Sequence, residues 1–136
     1  MKNQYTAYFF SRAAVGLSMA THGLVRIPKI DKFSNGMLEQ FASSIIPAPL
    51  VNAFSHALPF LELATGIMLC FGVFTRIGLV LGNIIMLMLL FGTGMIENWE
   101  AIPSQLIHVA FFSVLLVYLD LNKFSIDDLN RKSQLK

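Results

Sequence analysis

Hydrophobic residues fall into four long blocks separated by short polar punctuation. The blocks cover about residues 6–25, 54–74, 77–96 and 102–119. Each is near the ~20 residues that cross ~30 Å of hydrocarbon at ~1.5 Å per residue. The third is the cleanest, with no formal charge between Arg76 and Glu97, and the fourth opens at Pro103, a favourable helix-entry residue. Thr75-Arg76 forms a tight turn between the second and third blocks. Glu97-Asn98-Trp99-Glu100 joins the third to the fourth, with Trp99 suited to a membrane interface.

The first connection, residues 26–53, is longer. Within it, residues 35–46 put Met37, Leu38, Phe41 and Ile45 on one helical face, with Glu39, Gln40 and Ser43 among the others. Pro47-Ala48-Pro49 follows as a stop. The pattern predicts a short amphipathic helix lying at the interface or capping a bundle. Near the carboxyl end, Ser125 with Asp128 three residues on reads as a capping box for a short terminal helix. The fold class predicted is an all-α membrane protein: a four-helix transmembrane bundle with a short amphipathic helix in its first extracytoplasmic loop.

Composition agrees. The 136 residues have room for one domain, with mean hydropathy +0.64 and 13% charged residues, against about 25% in soluble domains. A net charge of +2, dispersed along the chain, argues against nucleic acid as a partner. The single cysteine, Cys70, rules out a disulfide framework or cysteine metal cluster within one chain. The opening MKNQYTAYFF leads into an apolar run with no small-residue cleavage site, so it reads as a retained helix. Lys2, Arg76, Lys123, Arg131, Lys132 and Lys136 fall on the side of the termini, and Arg26, Lys29 and Lys32 on the other. This bias places both termini in the cytoplasm.

Chemistry has to come from the few polar residues inside the blocks. An unpaired charge at a membrane helix centre costs roughly 2.5–3.5 kcal/mol on insertion scales, so Glu62 needs a partner. Arg12, His22 and His108 are the candidates, each in a different block. Alternating helices give an outer polar layer of His22, His108, Gln105 and Glu62 above an inner layer of Arg12 and Asn83, with Asn83 and Gln105 in supporting roles. Two histidines and a glutamate match a catalytic zinc set in type, yet they lack metal-site spacing, and no metal is assigned. Ala13, Gly16, Ala20 and Gly23 form a small-residue seam, and Gly78 with Gly82 forms a GxxxG pattern. No phosphate loop, serine elbow or haem motif is present.

Taken together, Arg12, Thr21-His22-Gly23-Leu24, Pro59-Phe60-Leu61-Glu62-Leu63 with Gly66, Gly72-Val73-Phe74-Thr75-Arg76 and Lys123-Phe124-Ser125-Ile126-Asp127 resemble the DoxX family of small four-helix membrane proteins. A departure is Asp120-Leu121-Asn122, where the family has a glycine before the closing motif. The resemblance implies a bacterial inner-membrane protein near quinone-linked redox chemistry, since name-giving relatives are linked to thiosulfate:quinone oxidoreductase. It places Arg12, His22 and Glu62 on family-like positions, while His108 is added from its depth alone.

The function expected is an integral inner-membrane subunit that binds a quinone or similar lipid-soluble ligand through Arg12, His22, Glu62 and His108. Arg12 would fix the charge of Glu62, and a partner oxidoreductase subunit would supply electrons, because the chain carries no redox centre or catalytic motif of its own. Membrane lipid and a second copy of the chain are further candidate partners. The alternative is a non-enzymatic structural or assembly subunit, in which the polar residues only lock the bundle. A small-solute transporter is a third reading, weakened by the lack of an internal repeat.

Overall fold

The computed structural model of the chain describes residues 2–134. Met1, Leu135 and Lys136, the last counted above for orientation, lie outside them. The described residues form α1 (Lys2–Arg26), α2 (Ile30–Gln40), α3 (Ala48–Phe71), α4 (Thr75–Met95), α5 (Ile102–Val117) and α6 (Ile126–Gln134). Single 3-10 turns occupy Ile27–Lys29 and Leu119–Leu121. No strand occurs among the described residues.

α1 packs on α3, α3 on α4, α4 on α5, and α5 returns to α1, while α2 lies along α3. Met19, Leu58, Leu69, Leu79, Ile85 and Phe112 fill the centre. The α1–α3 crossing is the closest. A Cβ on Gly66 would overlap the backbone of Ala20, and one on Gly23 would lie 2.6 Å from the Leu63 nitrogen. The small-residue seam of α1 thus docks on its neighbour α3.

Three prolines account for the departures from the expected helix boundaries. The amphipathic helix is Ile30–Gln40 rather than 35–46, because Pro28 opens its preceding 3-10 turn and the chain turns after Phe41. Pro47 and Pro49 do not merely stop it. Pro47 is the N-cap of α3 and Pro49 sits in its first turn, where a missing N–H costs nothing and a fixed φ helps. The long α3 therefore begins at Ala48, not near residue 54.

α3 and α4 are each long and apolar enough to cross a membrane, and only 39% and 33% of their most apolar windows are buried. Core helices of soluble proteins would be mostly covered. Phe60, Ile67, Val80, Ile84, Leu87 and Phe91 instead point outward. With mean hydropathy of +0.64, α3 and α4 are candidate membrane spans.

One end of the bundle is locked by polar groups. α3 ends at Gly72 with φ +65°, and Phe74 also has positive φ, at 48°. A side chain in the left-handed region is strained by roughly 1–2 kcal/mol. Asp127, from the start of α6, holds it in place: its carboxylate accepts the N–H groups of Phe74 and Thr75, both at 2.8 Å. It thereby caps α4 from a distant part of the chain, which suits the positive end of that helix. Asn122 donates to Thr75 Oγ1 at 2.9 Å. The Asp128 N–H donates to Ser125 Oγ at 3.2 Å, one half of the expected capping box. The Asp128 carboxylate does not complete the box and instead holds Lys132 at 2.5 Å and Arg131 at 2.7 Å.

Two outcomes test this lock. Asp127→Ala should cost about 1–2 kcal/mol, the loss of a good helix cap, read as a lower thermal midpoint in detergent, with Asp127→Asn recovering part. Hydrogen bonding to Lys132, together with its cationic neighbours, holds the Asp128 carboxyl below the usual carboxylate range. Its contribution is complete above the unfolded value of about 3.9 and is lost as pH falls through the lower folded value. Hydrogen exchange across residues 126–134 should accelerate over that acid range, and Asp128→Asn should flatten the profile.

Candidate functional site

Glu62 projects from the middle of α3, ten residues before Gly72 and so about 15 Å along the helix from it, with its side chain 3% exposed. Its partner is Arg26, not Arg12. Arg26 Nη1 donates to both carboxylate oxygens at 2.6 Å, and the Phe33 ring of α2 lies 4.7 Å from the guanidinium carbon. The guanidinium is thus fixed by a carboxylate and an aromatic face, a salt bridge and a cation–π contact on one group.

Arg12 is spent elsewhere. It donates to the carbonyls of Leu69, Cys70 (3.2 Å) and Phe124 (2.7 Å). It lies 14 residues before Arg26 on the same helix, about 21 Å along the axis at ~1.5 Å per residue. The antiparallel crossing of Ala20 on Gly66 fixes the register. Position 62 therefore meets the end of α1, and position 12 meets the end of α3. The expectation that Arg12 sets the charge of Glu62 is overturned.

His22 and His108 both lie in the neighbourhood of Glu62. Ser18, which the sequence reading passed over, links them. The Ser18 carbonyl faces His22 Nδ1 at 2.8 Å, so that nitrogen carries the proton and, in the neutral ring, Nε2 is an acceptor. His108 Nδ1 faces the Ser104 carbonyl at 2.8 Å, and its Nε2 takes the Ser18 hydroxyl at 2.9 Å. His108 is therefore engaged at both nitrogens. His22 is exposed and keeps Nε2 free of any protein hydrogen bond among the described residues.

The two supporting residues serve a different contact. Asn83 donates to Leu79 O and accepts from Ser113 Oγ at 3.3 Å. Gln105 donates to Thr93 Oγ1 at 2.8 Å. Both tie α4 to α5 and neither hydrogen-bonds to the Glu62 group. Among the described residues, no group of three or more His, Cys, Asp or Glu side chains is placed to hold a metal ion.

In front of the Arg26–Glu62 pair lies a cleft of about 440 Å³ lined by Thr21, His22, Val25, Arg26, Lys29 and Phe33. It lies between the last turns of α1, the following 3-10 turn and α2; on α5, Phe112 and Leu115 are the buried residues and none of residues 102–111 is buried. The lining has two cations and no carboxylate. Arg26, Lys29, Phe33 and Ser18 are the residues sequence reasoning missed, since three lie in or beside the long connection.

The chain matches the family model described as methylamine utilisation protein MauE over residues 5–105, and it belongs to that family. The match takes in α1 through α4 with Arg12, His22, Arg26 and Glu62, and stops before His108 and α6. It overturns the resemblance to DoxX. The residues that carried that resemblance have structural work in this fold: Gly23 and Gly66 admit a close helix crossing, and Gly72 to Thr75 form a capped turn. No curated protein and no solved structure matches the chain.

A fully buried ion pair costs about 3–5 kcal/mol when one partner is removed. Arg26 is 27% exposed, which lowers the expectation for Glu62→Ala to about 1–3 kcal/mol. Glu62→Leu with Arg26→Met should lose less than Glu62→Ala alone, because no uncompensated charge remains. Thermal unfolding of the variants in mild detergent reads the difference.

Proposed function

We propose that the chain is an integral inner-membrane component of a methylamine-utilisation system, holding a quinone or similar lipid-soluble ligand in the cleft beside Arg26 and His22. Using methylamine requires a two-electron oxidation of its carbon, so a membrane component of such a system sits beside redox chemistry, and quinones carry electrons within bilayers. The family assignment supports the setting. The single observation that carries the ligand reading is the cleft itself, open towards apolar Val25 and backed by an immobilised guanidinium.

In this reading α1, α3, α4 and α5 all cross the bilayer. α5, at 16 residues, reaches about 24 Å, which needs local thinning or the help of the adjoining turn. The excess of Lys and Arg on the α6 side supports a cytoplasmic position for both termini, with the cleft towards the outer face. A ligand carbonyl accepts from the outward N–H groups of Arg26, and a ligand hydroxyl donates to His22 Nε2. In this reading electrons come from a partner oxidoreductase.

The cleft is a poor site for methylamine. At neutral pH the amine is a cation, and Arg26 and Lys29 repel it. The role is therefore to serve the system rather than to bind its substrate.

Mass spectrometry of the organic extract from purified protein, beside Glu62→Gln, tests the reading. A stoichiometric quinone in the parent, lost or much reduced in the variant at equal folded yield, is the expected result. Ordinary phospholipid alone in both samples would overturn quinone binding and leave a structural or assembly component of the same system.

A further inference from the structure

At the α6 end, exposed aromatic residues ring the bundle. Phe10 on α1, Phe71 closing α3, Phe74 before α4 and Tyr118 after α5 all point outward. Tyr118, with an apolar ring and a polar hydroxyl, suits a membrane–water interface, and the phenylalanines add apolar surface at the same level. Phe124, 56% exposed, joins this ring through an edge-on contact with Phe9, their centroids 6.3 Å apart.

α6 starts two residues after Phe124. Its inward face is fixed by Asp127 on the α4 amino end and by the Asp127 N–H on Gly72 O at 3.0 Å. Its outward face carries Ile126 and Leu129 one turn apart, and Leu129 is 65% exposed. Arg131 and Lys132 bend over Asp128 while keeping 60% and 64% of their side chains free. An amphipathic helix pinned at the level of an aromatic ring, with apolar residues outward and cations beside them, has the makings of a surface-lying membrane helix.

We infer that α6 lies along the membrane surface, with Phe124, Ile126 and Leu129 in the boundary between headgroups and acyl chains. Arg131 and Lys132 sit at the headgroup phosphates. The occupant of this face is the bilayer itself, because the face continues the lipid-facing wall through Phe9 and Phe10. The inference rests on the membrane-spanning reading above but not on the quinone.

The lone cysteine makes the test direct. A Cys70→Ala background leaves a unique labelling site when Leu129→Cys or, as a control on the apolar outer face of α4, Ile84→Cys is introduced. The full chain is placed in vesicles of phosphatidylcholine and phosphatidylglycerol and labelled with an environment-sensitive fluorophore. Quenching at position 129 by a lipid spin-labelled near its headgroup should exceed quenching by aqueous iodide several-fold. At position 84 a deep spin label should dominate. Iodide winning at 129 while 84 remains lipid-shielded would overturn the surface placement of α6 alone. Iodide winning at both positions would overturn the membrane-spanning reading and this inference with it.

Discussion

The register of α1 against α3 governs the rest of this molecule. Gly66 and Gly23 allow two backbones to approach until side chains other than glycine would overlap main-chain atoms. Such a crossing has almost no freedom to slide, since a shift of one residue would drive Leu63 or Ala20 into the opposing helix. With the register fixed, each cation of α1 meets a predetermined stretch of α3. Arg26 reaches the carboxylate of Glu62 and Arg12 reaches the terminal carbonyls. Small residues thus decide electrostatics at both ends.

The two arginines are satisfied in different ways, and the difference separates structure from chemistry. Arg12 is fully buried and makes no ion pair among the described residues. Its partners are carbonyls at the carboxyl end of α3 and the Phe124 carbonyl. Those carbonyls would otherwise lack donors at a helix end, and the negative end of the helix dipole favours a cation there. Arg12 therefore fastens α1, α3 and the approach to α6 in one place, leaving no room for a ligand. Arg26 has a carboxylate behind it, an aromatic ring beside it and an open cleft in front. A guanidinium held still with N–H groups to spare is prepared for a further acceptor.

The helical class, the existence of the long apolar helices and the terminal cap were legible because each rests on local signals. Helix length and a serine three residues before an aspartate act within a few residues, whereas the turn expected at Thr75-Arg76 falls at Gly72–Phe74, and Thr75 and Arg76 open α4. The start of α3 was misread because Pro47 and Pro49 have two meanings: a proline ends one helix and equally begins the next. The pairing of Glu62 was misread for a different reason. Depth counted from each helix end carries an error of a turn or more, whereas the seam of Gly16, Ala20 and Gly23 opposite Gly66 carries the register directly. Aligning Ala20 with Gly66 in antiparallel sense brings Glu62 to the last turn of α1, where Arg26 is the available cation. Arg26 was counted as a flanking loop charge because sequence alone ends α1 one residue too soon.

Charge in the cleft bears on how this chain can serve an amine-utilising system. Glu62 neutralises Arg26 from behind, so the pair presents its positive end outward, and Lys29 adds to it. An ammonium ion approaching that surface meets repulsion with no carboxylate in the lining to offset it. Oxygen acceptors meet the reverse. The outer half of α5 adds access: with residues 102–111 unburied, the His22 edge of α1 is left open beside outward Leu24 and Val25. Under the proposed function, the polarity of the lining suits an oxygen-headed molecule better than the amine.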